Sequence, residues 1–387
     1  MNLHAKYPAL SDLRQLAKKR LPHFAWEYLD SATGTEKGRS RNREMLDNVR
    51  FLPSILHGEL AYDHAVTLFG QRYERPFGIS PVGMSGLYWP GAEKALAQAA
   101  RQAGIPYGMS TVATVKPEAL AQHIGDMGWF QLYPPASDEI LQDMLRRVKT
   151  AGFKVLILTV DVPVASRRER QVRSGLTVPP VVSPRLFLQI AARPRWAISM
   201  LRQGTPTMAM IDDYADPSRG LSSVEHAGYM LRTSPDWSYL DRLRALWDGP
   251  LVVKGVMRTD DVARLENAGV DGIWVSNHGA RQFEGAPATI EVLPDIRAAT
   301  DLPVIFDSGI EGGLDILRAI ALGADMVFLG RGFHYAVSAL GKAGADHLIE
   351  LLTLDMESNL GQLGASKAAA LRGQSSLGSA SSAKVAC

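Results

Sequence analysis

The stretch Val270-Asp271-Gly272-Ile273-Trp274-Val275-Ser276-Asn277-His278-Gly279-Ala280-Arg281-Gln282 runs from an apolar segment of strand length into a loop that carries a base and a cation. Histidine titrates nearest neutrality, so His278 can take a proton at physiological pH; Arg281 offers a planar fork of donors matched to a carboxylate. Together they suit a substrate that is both an acid and a proton donor. A histidine capping a strand end is the bland alternative.

The same grammar recurs along the chain. Eight short apolar runs, Phe77–Val82, Ile105–Met109, Trp129–Tyr133, Val155–Val160, Leu251–Lys254, Gly272–Ser276, Pro303–Phe306 and Met326–Leu329, alternate with helical patterns at 92–103, 138–151, 259–268, 289–299 and 312–322. Gly104, Gly152, Gly269 and Gly323 follow helical patterns where a left-handed C-terminal cap is expected. Eight parallel strands with intervening helices predict an α/β fold, a (β/α)8 TIM barrel, whose sites form at the strands' C-terminal ends. Polar residues gather there: Gln131 and Tyr133, Thr159 and Asp161, Lys254, Ser276 and His278, Asp307, and Gly330-Arg331. Singly, each reads as a strand-end residue bonded to backbone or solvent; their convergence on one barrel face points to a site.

Composition narrows the classes. At 387 residues and 46% apolar content the chain is expected to form a single domain, 1–387: an N-terminal helical extension over 1–76 with one helical segment at Leu10–Tyr28, a barrel over 77–365, and a disordered tail over 366–387. The formal charge of +2 gives no global field for nucleic acid. The one cysteine, Cys387, excludes an intramolecular disulfide and fits a cytoplasmic compartment. No secretory signal or membrane span is expected. The histidines outside the motif, His4 and His347 among them, show no metal-ligand spacing, so no metal is expected. A nicotinamide fingerprint, G-x-G-x-x-G after a first strand, is lacking.

Residues 166–237 far exceed an ordinary βα loop, and are expected to be a long mobile or membrane-facing loop. Val178, Val181, Leu186, Phe187, Leu188 and Ile190 alternate with Arg185, Arg193, Arg195 and Arg202, a mixture that suits a peripheral contact with the cytoplasmic face of an inner membrane. A lid or a subunit contact would look similar.

The chain resembles the FMN-dependent α-hydroxy acid oxidases and dehydrogenases from Leu21-Pro22 to about residue 363. The motifs are Ser276–Gln282 with Gly285-Ala286-Pro287-Ala288-Thr289, supported in the family's order by Phe130-Gln131-Leu132-Tyr133, Leu158-Thr159-Val160-Asp161, Val253-Lys254-Gly255-Val256 and Leu329-Gly330-Arg331. The resemblance implies catalytic roles for His278, Asp161, Tyr133 and Lys254, with His278 as base and Asp161 steadying its imidazolium. It implies substrate contacts from Tyr28, Tyr133, Arg168, His278 and Arg281. For FMN it implies Pro81, Val82 and Gly83 on one ring face, and Ser110, Gln131, Thr159, Lys254 and Ser276 at the polar edge. Asp307, Ser308, Gly309, Gly330 and Arg331 would surround the phosphate. Asp161 also reads as a turn residue before Pro163, Lys254 as a solvated strand-end lysine, and Tyr28 as part of a packed helix face with Trp26 and Leu29.

One position departs from the family. Asp307-Ser308-Gly309-Ile310-Glu311 puts an anion where the family commonly has an arginine, so Glu311 points away or FMN is held less tightly. The expected reaction is oxidation of an L-2-hydroxy acid, lactate first and mandelate second, to the 2-oxo acid. A quinone-type acceptor is favoured because Gly83 stands where oxidases often carry alanine; oxygen is the alternative, and an FMN-dependent isomerase or a non-catalytic flavin-binding protein the rival classes. A homotetramer is the assembly implied.

Overall fold

The computed structural model describes residues 2–135, 137–175, 183–215, 235–374 and 376–377. Its centre is a closed barrel of eight parallel strands: β1 (Phe77–Ile79), β2 (Tyr107–Ser110), β3 (Gly128–Leu132), β4 (Val155–Thr159), β5 (Leu251–Val256), β6 (Gly272–Val275), β7 (Val304–Phe306) and β8 (Met326–Leu329), with β8 pairing to β1. Helices Ala92–Ala103, Asp138–Thr150, Thr289–Ala298 and Gly313–Ala321 lie where their periodicity predicts, within a residue or so at each end. Each of the four predicted cap glycines has a positive φ.

Strand alternation explains why polar groups meet at one end. Trp129, Ile157, Val252, Trp274, Ile305 and Phe328 point inward and fill the barrel floor, while Phe130, Leu158, Val253, Val275, Phe306 and Leu329 face the helices. Two residues beyond each inward side chain, the period-2 pleat returns to the interior with Gln131, Thr159, Lys254, Ser276, Asp307 and Gly330. The hairpin Val66–Leu68/Gln71–Tyr73 packs Leu68 and Tyr73 against that floor, and Trp129 Nε1 donates to the Tyr73 hydroxyl at 2.9 Å.

β5 departs from regular pairing. A bulge between Lys254 and Val256 places Gly255 at φ +111°, and a Cβ there would lie 2.6 Å from the Asp161 Cβ. Glycine is required twice over, by backbone conformation and by the close approach of Asp161.

The N-terminal extension differs from the continuous helix expected over 10–28. Pro22 breaks it into Leu10–Arg20 and His23–Asp30, since the residue before proline is driven out of the helical region and Leu21 is extended (φ −82°, ψ 143°). Asp30, buried at 2% exposure, fastens the extension. Its carboxylate accepts from Arg14 Nη2 (2.9 Å), Arg170 Nη2 (3.1 Å) and the Tyr335 hydroxyl (2.7 Å), and pairs with Arg39 at 3.2 Å. Burial opposes its ionisation, but Arg39, the Tyr335 hydroxyl and Arg14 outweigh that and hold the carboxyl well below the usual carboxylate range.

Where it is described, the 166–237 segment is helical rather than a loop: Glu169–Arg173, Pro184–Ala191, Pro194–Gln203 and Ala209–Asp212. Trp196 is buried, donates from Nε1 to the Leu87 carbonyl at 3.0 Å and meets the Phe24 ring edge-on. Leu186 is buried too, and Arg193 Nε donates to the Leu21 carbonyl at 3.1 Å, so neither is free to meet lipid. Val178 and Val181 lie outside the described residues. The expected tail is also partly ordered. Ala368–Leu371 forms a 3-10 turn with Leu371 buried, and Ser376–Leu377 pairs with Val49–Arg50; Cys387 lies outside the described residues. Tertiary contact brings His4, His347 and Glu350 together, which spacing along the chain cannot reveal.

Asp30→Asn should lower unfolding free energy by about 3–5 kcal/mol, because it strands buried arginines without their shared anion. Since the folded pKa is depressed, the stabilisation is present above the unfolded value of about 4 and is lost as pH falls through the folded one. Urea unfolding of native and variant protein at neutral pH and near pH 3 checks both statements; a difference under about 1 kcal/mol at neutral pH would contradict the fastening role.

Candidate active site

A cavity of about 1440 Å³ opens above the barrel floor and extends under the N-terminal extension. Of the residues singled out in the sequence, Tyr28, Pro81, Val82, Gly83, Ser110, Gln131, Tyr133, Thr159, Arg168, Lys254, His278, Arg281, Asp307, Ser308, Gly309, Gly330 and Arg331 line it. Ser276 and Asp161 stand directly behind, bonded to Lys254 and His278.

His278 Nδ1 lies 3.0 Å from Asp161 Oδ1. A carboxylate is an acceptor only, so Nδ1 carries the hydrogen and the Nε2 lone pair is left for a reacting group. Burial is the largest influence on the imidazole and lowers its pKa from 6.5; the Asp161 charge and hydrogen bond oppose this, while Lys254 and Arg168 add to it. The histidine is therefore a neutral base at neutral pH. Asp161 stays ionised: burial raises its pKa, but the His278 charge and hydrogen bond, then Lys254, bring it below the ordinary value.

The loop bearing His278 is strained and pinned. His278, Gly279 and Ala280 all have positive φ (56°, 62° and 59°), which costs roughly 1–2 kcal/mol at each non-glycine residue. Buried Asn42 and Asn277 hold the loop through reciprocal amide bonds of 3.0 and 2.7 Å. Ser276 Oγ accepts from the His278 amide (3.1 Å), and Ser308 Oγ from the Gly279 amide (3.0 Å). Arg281 anchors the other end, donating to the carbonyls of Tyr28 (2.8 Å), Leu29 (3.3 Å) and Ser31 (2.5 Å). Its fork is thus partly committed to backbone, which the sequence does not disclose.

Lys254, 5% exposed, donates to Ser276 Oγ at 2.5 Å and pairs with Asp307 Oδ2 at 2.9 Å, rather than standing solvated at a strand end. Burial, then the Asp161 charge, raise the Tyr133 pKa well above the ordinary value, keeping its hydroxyl a donor. Tyr28 faces the cavity with its ring stacked on Tyr88 at 5.8 Å, while Trp26 and Leu29 are buried. Burial, then the like charges of Arg168 and Arg331, lower the Arg281 pKa. Arginines gathered this way favour an anion between them.

The residues fit a flavin. Gln131 Nε2, Thr159 Oγ1 and Arg331 Nε are shielded from solvent and have no partner within the protein, a costly state unless a bound group satisfies them. The first two are at the strand ends where the isoalloxazine edge is expected, and the third at the expected phosphate end. Glu311 is exposed at the cavity rim, and its backbone amide donates to Asp315 Oδ2 at 2.9 Å. Asp30, Asn42, Tyr88 and Arg39 were not singled out from sequence. The partners of Asp30 range from Arg39, nine positions away, to Tyr335, 305 away, and Asn42 meets Asn277 across 235 positions, contacts that no local pattern marks.

The model of the FMN-dependent dehydrogenase family matches residues 17–377. The chain is 37% identical to an L-lactate dehydrogenase of Vibrio cholerae serotype O1 (strain M66-2) over 94% of its own length and 97% of that protein's. It is 36% identical to the (S)-mandelate dehydrogenase of Pseudomonas putida over 92% of this chain and 90% of that one. Among solved structures, a monotopic membrane protein, (S)-mandelate dehydrogenase, superposes with a TM-score of 0.88 at 35% identity, covering 94% of this chain and 97% of that one. The chain therefore belongs to the FMN-dependent dehydrogenase family.

Proposed function

We propose that the protein oxidises an L-2-hydroxy acid, lactate first and mandelate second, to the 2-oxo acid, and passes the electrons to a quinone-type acceptor. The observation that carries this reading is a neutral, carboxylate-backed His278 in one cavity with Arg168, Arg281 and unpaired flavin-directed donors. FMN, when bound, supplies the two-electron acceptor chemistry. The oxidation releases two electrons and two protons from the carbinol, and His278 Nε2 takes one of those protons. Asp161 then faces an imidazolium and stabilises it, since its charge and hydrogen bond both favour the protonated ring. Arg168 and Arg281 attract the substrate carboxylate, while the Tyr133 and Tyr28 hydroxyls donate to its oxygens. Lys254, fixed by Ser276 and Asp307, sets a positive charge at the cavity floor where electron density accumulates.

His278→Gln should slow reduction of the bound flavin by roughly 10²- to 10⁴-fold while FMN stays bound. Anaerobic stopped-flow with L-lactate and (S)-mandelate reads this, and reduction within about tenfold of native would remove His278 from the role of base. Arg281→Lys should impair both substrate saturation and rate, because lysine keeps the charge but loses the fork that also holds the Tyr28 carbonyl. Unchanged saturation would assign the carboxylate to other groups.

The quinone acceptor goes with a peripheral membrane position, for which the exposed side of the 184–203 region gives support. Phe187, Leu188, Ile198 and Leu201 are exposed beside exposed Arg185, Arg195 and Arg202, and no helix among the described residues is long and apolar enough to cross a membrane. A cytoplasmic-face location and a homotetramer complete the proposal, the latter on family resemblance alone. The native protein should float with anionic liposomes, and Phe187→Ser/Leu188→Ser/Leu201→Ser should not, with lactate-dependent flavin reduction retained. A native protein that never floats, at low or high salt, would overturn the docking.

A further inference from the structure

The far end of the cavity holds Arg331, Gly309 and Gly330, and a second guanidinium, Arg39, from the helix Lys37–Asp47. Arg331 donates from Nη2 to the Ser31 and Gly279 carbonyls, both at 3.0 Å, leaving Nε buried and unpaired. Arg39 is oriented by Asp30, donating from Nη1 to its backbone carbonyl at 2.7 Å. The two guanidiniums donate to the adjoining carbonyls of Asp30 and Ser31, and after burial the Arg39 charge is the largest influence lowering the Arg331 pKa. Two like charges facing one cavity are stable when an anion separates them.

The other arginines nearby are already committed. Arg43 is taken by Asp315 (2.5 and 2.7 Å) and Asp47 (2.6 Å) and clamps the Gly309 carbonyl at 3.1 Å. Arg170 is held by Glu27, Glu36 and Asp30. Asp30 is shared among Arg14, Arg39, Arg170 and the Tyr335 hydroxyl, so it does not neutralise Arg39 alone. Glu311, exposed at the rim, is close enough to raise the Arg39 pKa.

We propose that Arg39, opposite Arg331, is the second cation of the flavin phosphate site, standing in for a basic residue at position 311. The N-terminal extension thereby becomes part of the cofactor site, and the chain selects the phosphorylated flavin through a residue outside the barrel. The inference rests on FMN as cofactor and is independent of the substrate.

Dissociation of FMN and of riboflavin, followed by flavin fluorescence on the refolded or deflavinated chain, tests it. Losing one charge-assisted contact weakens binding by about ten- to a hundredfold, so Arg39→Gln should weaken FMN by that factor and leave riboflavin unchanged. Arg39→Lys should fall between, and Glu311→Arg in the Arg39→Gln background should restore part of the FMN affinity. FMN binding unchanged in Arg39→Gln would overturn the proposal. So would equal weakening of FMN and riboflavin, which denotes damage to the fold, and thermal unfolding of each variant identifies that case independently. A native chain that takes up neither flavin would overturn the cofactor itself together with the place of Arg39 in it.

Discussion

One hydrogen bond, from His278 Nδ1 to the Asp161 carboxylate, fixes the chemical character of the site. It joins the ends of β4 and β6 across β5, and β5 lets them meet only because its bulge carries a glycine whose missing Cβ is the space Asp161 occupies. The bond chooses the tautomer, aims the lone pair at the cavity and keeps a charge ready for the imidazolium. Burial holds the imidazole neutral beforehand, and the carboxylate stabilises it once protonated. Neutral base before the reaction and stabilised acid after it follow from the same pair.

The barrel alone does not make the site. Its alternating strands raise a ring of polar side chains above an aromatic floor, yet the His278 loop is held in an unfavourable conformation by groups of the extension. Asn42 grips Asn277, and the carbonyls of residues 28, 29 and 31 receive Arg281. Asp30 ties Arg14 and Arg39 together within the extension and binds it to the rest of the chain through Arg170 and the Tyr335 hydroxyl. Strain at the reacting residue is thus offset by ionic and amide contacts some distance from it.

What could be read from sequence follows from range. The strand runs, the cap glycines and the order of polar residues at strand ends are local patterns, and the pleat's period carries Gln131, Thr159, Lys254 and Ser276 to one mouth without further information. The break at Pro22 was available locally but was outweighed by the apolar spacing around it. Asn42 and Asp30 gain their roles from partners far along the chain, Asn277 and Tyr335 among them, and Arg39 from Asp30 in the preceding helix; each alone looks like an ordinary polar helix residue. The 166–237 segment misled in another way. Its mixture of arginine and apolar residues concealed a division of labour, with Leu186, Trp196 and Arg193 turned to the protein and Phe187, Leu188 and Leu201 to solvent.

The account turns on a neutral, carboxylate-backed base, and the pH dependence of the second-order rate of flavin reduction by L-lactate, measured anaerobically, reports that group in the free protein. Activity requires the unprotonated imidazole, so with a pKa lowered from 6.5 the rate should hold through neutrality and fall only as pH drops through a value below 6.5. Asp161→Asn removes the influence that opposes the lowering, so the acid limb should move lower still while the rate falls at every pH. A limb at or above 6.5 in the native protein, or one that Asp161→Asn leaves in place, would contradict it.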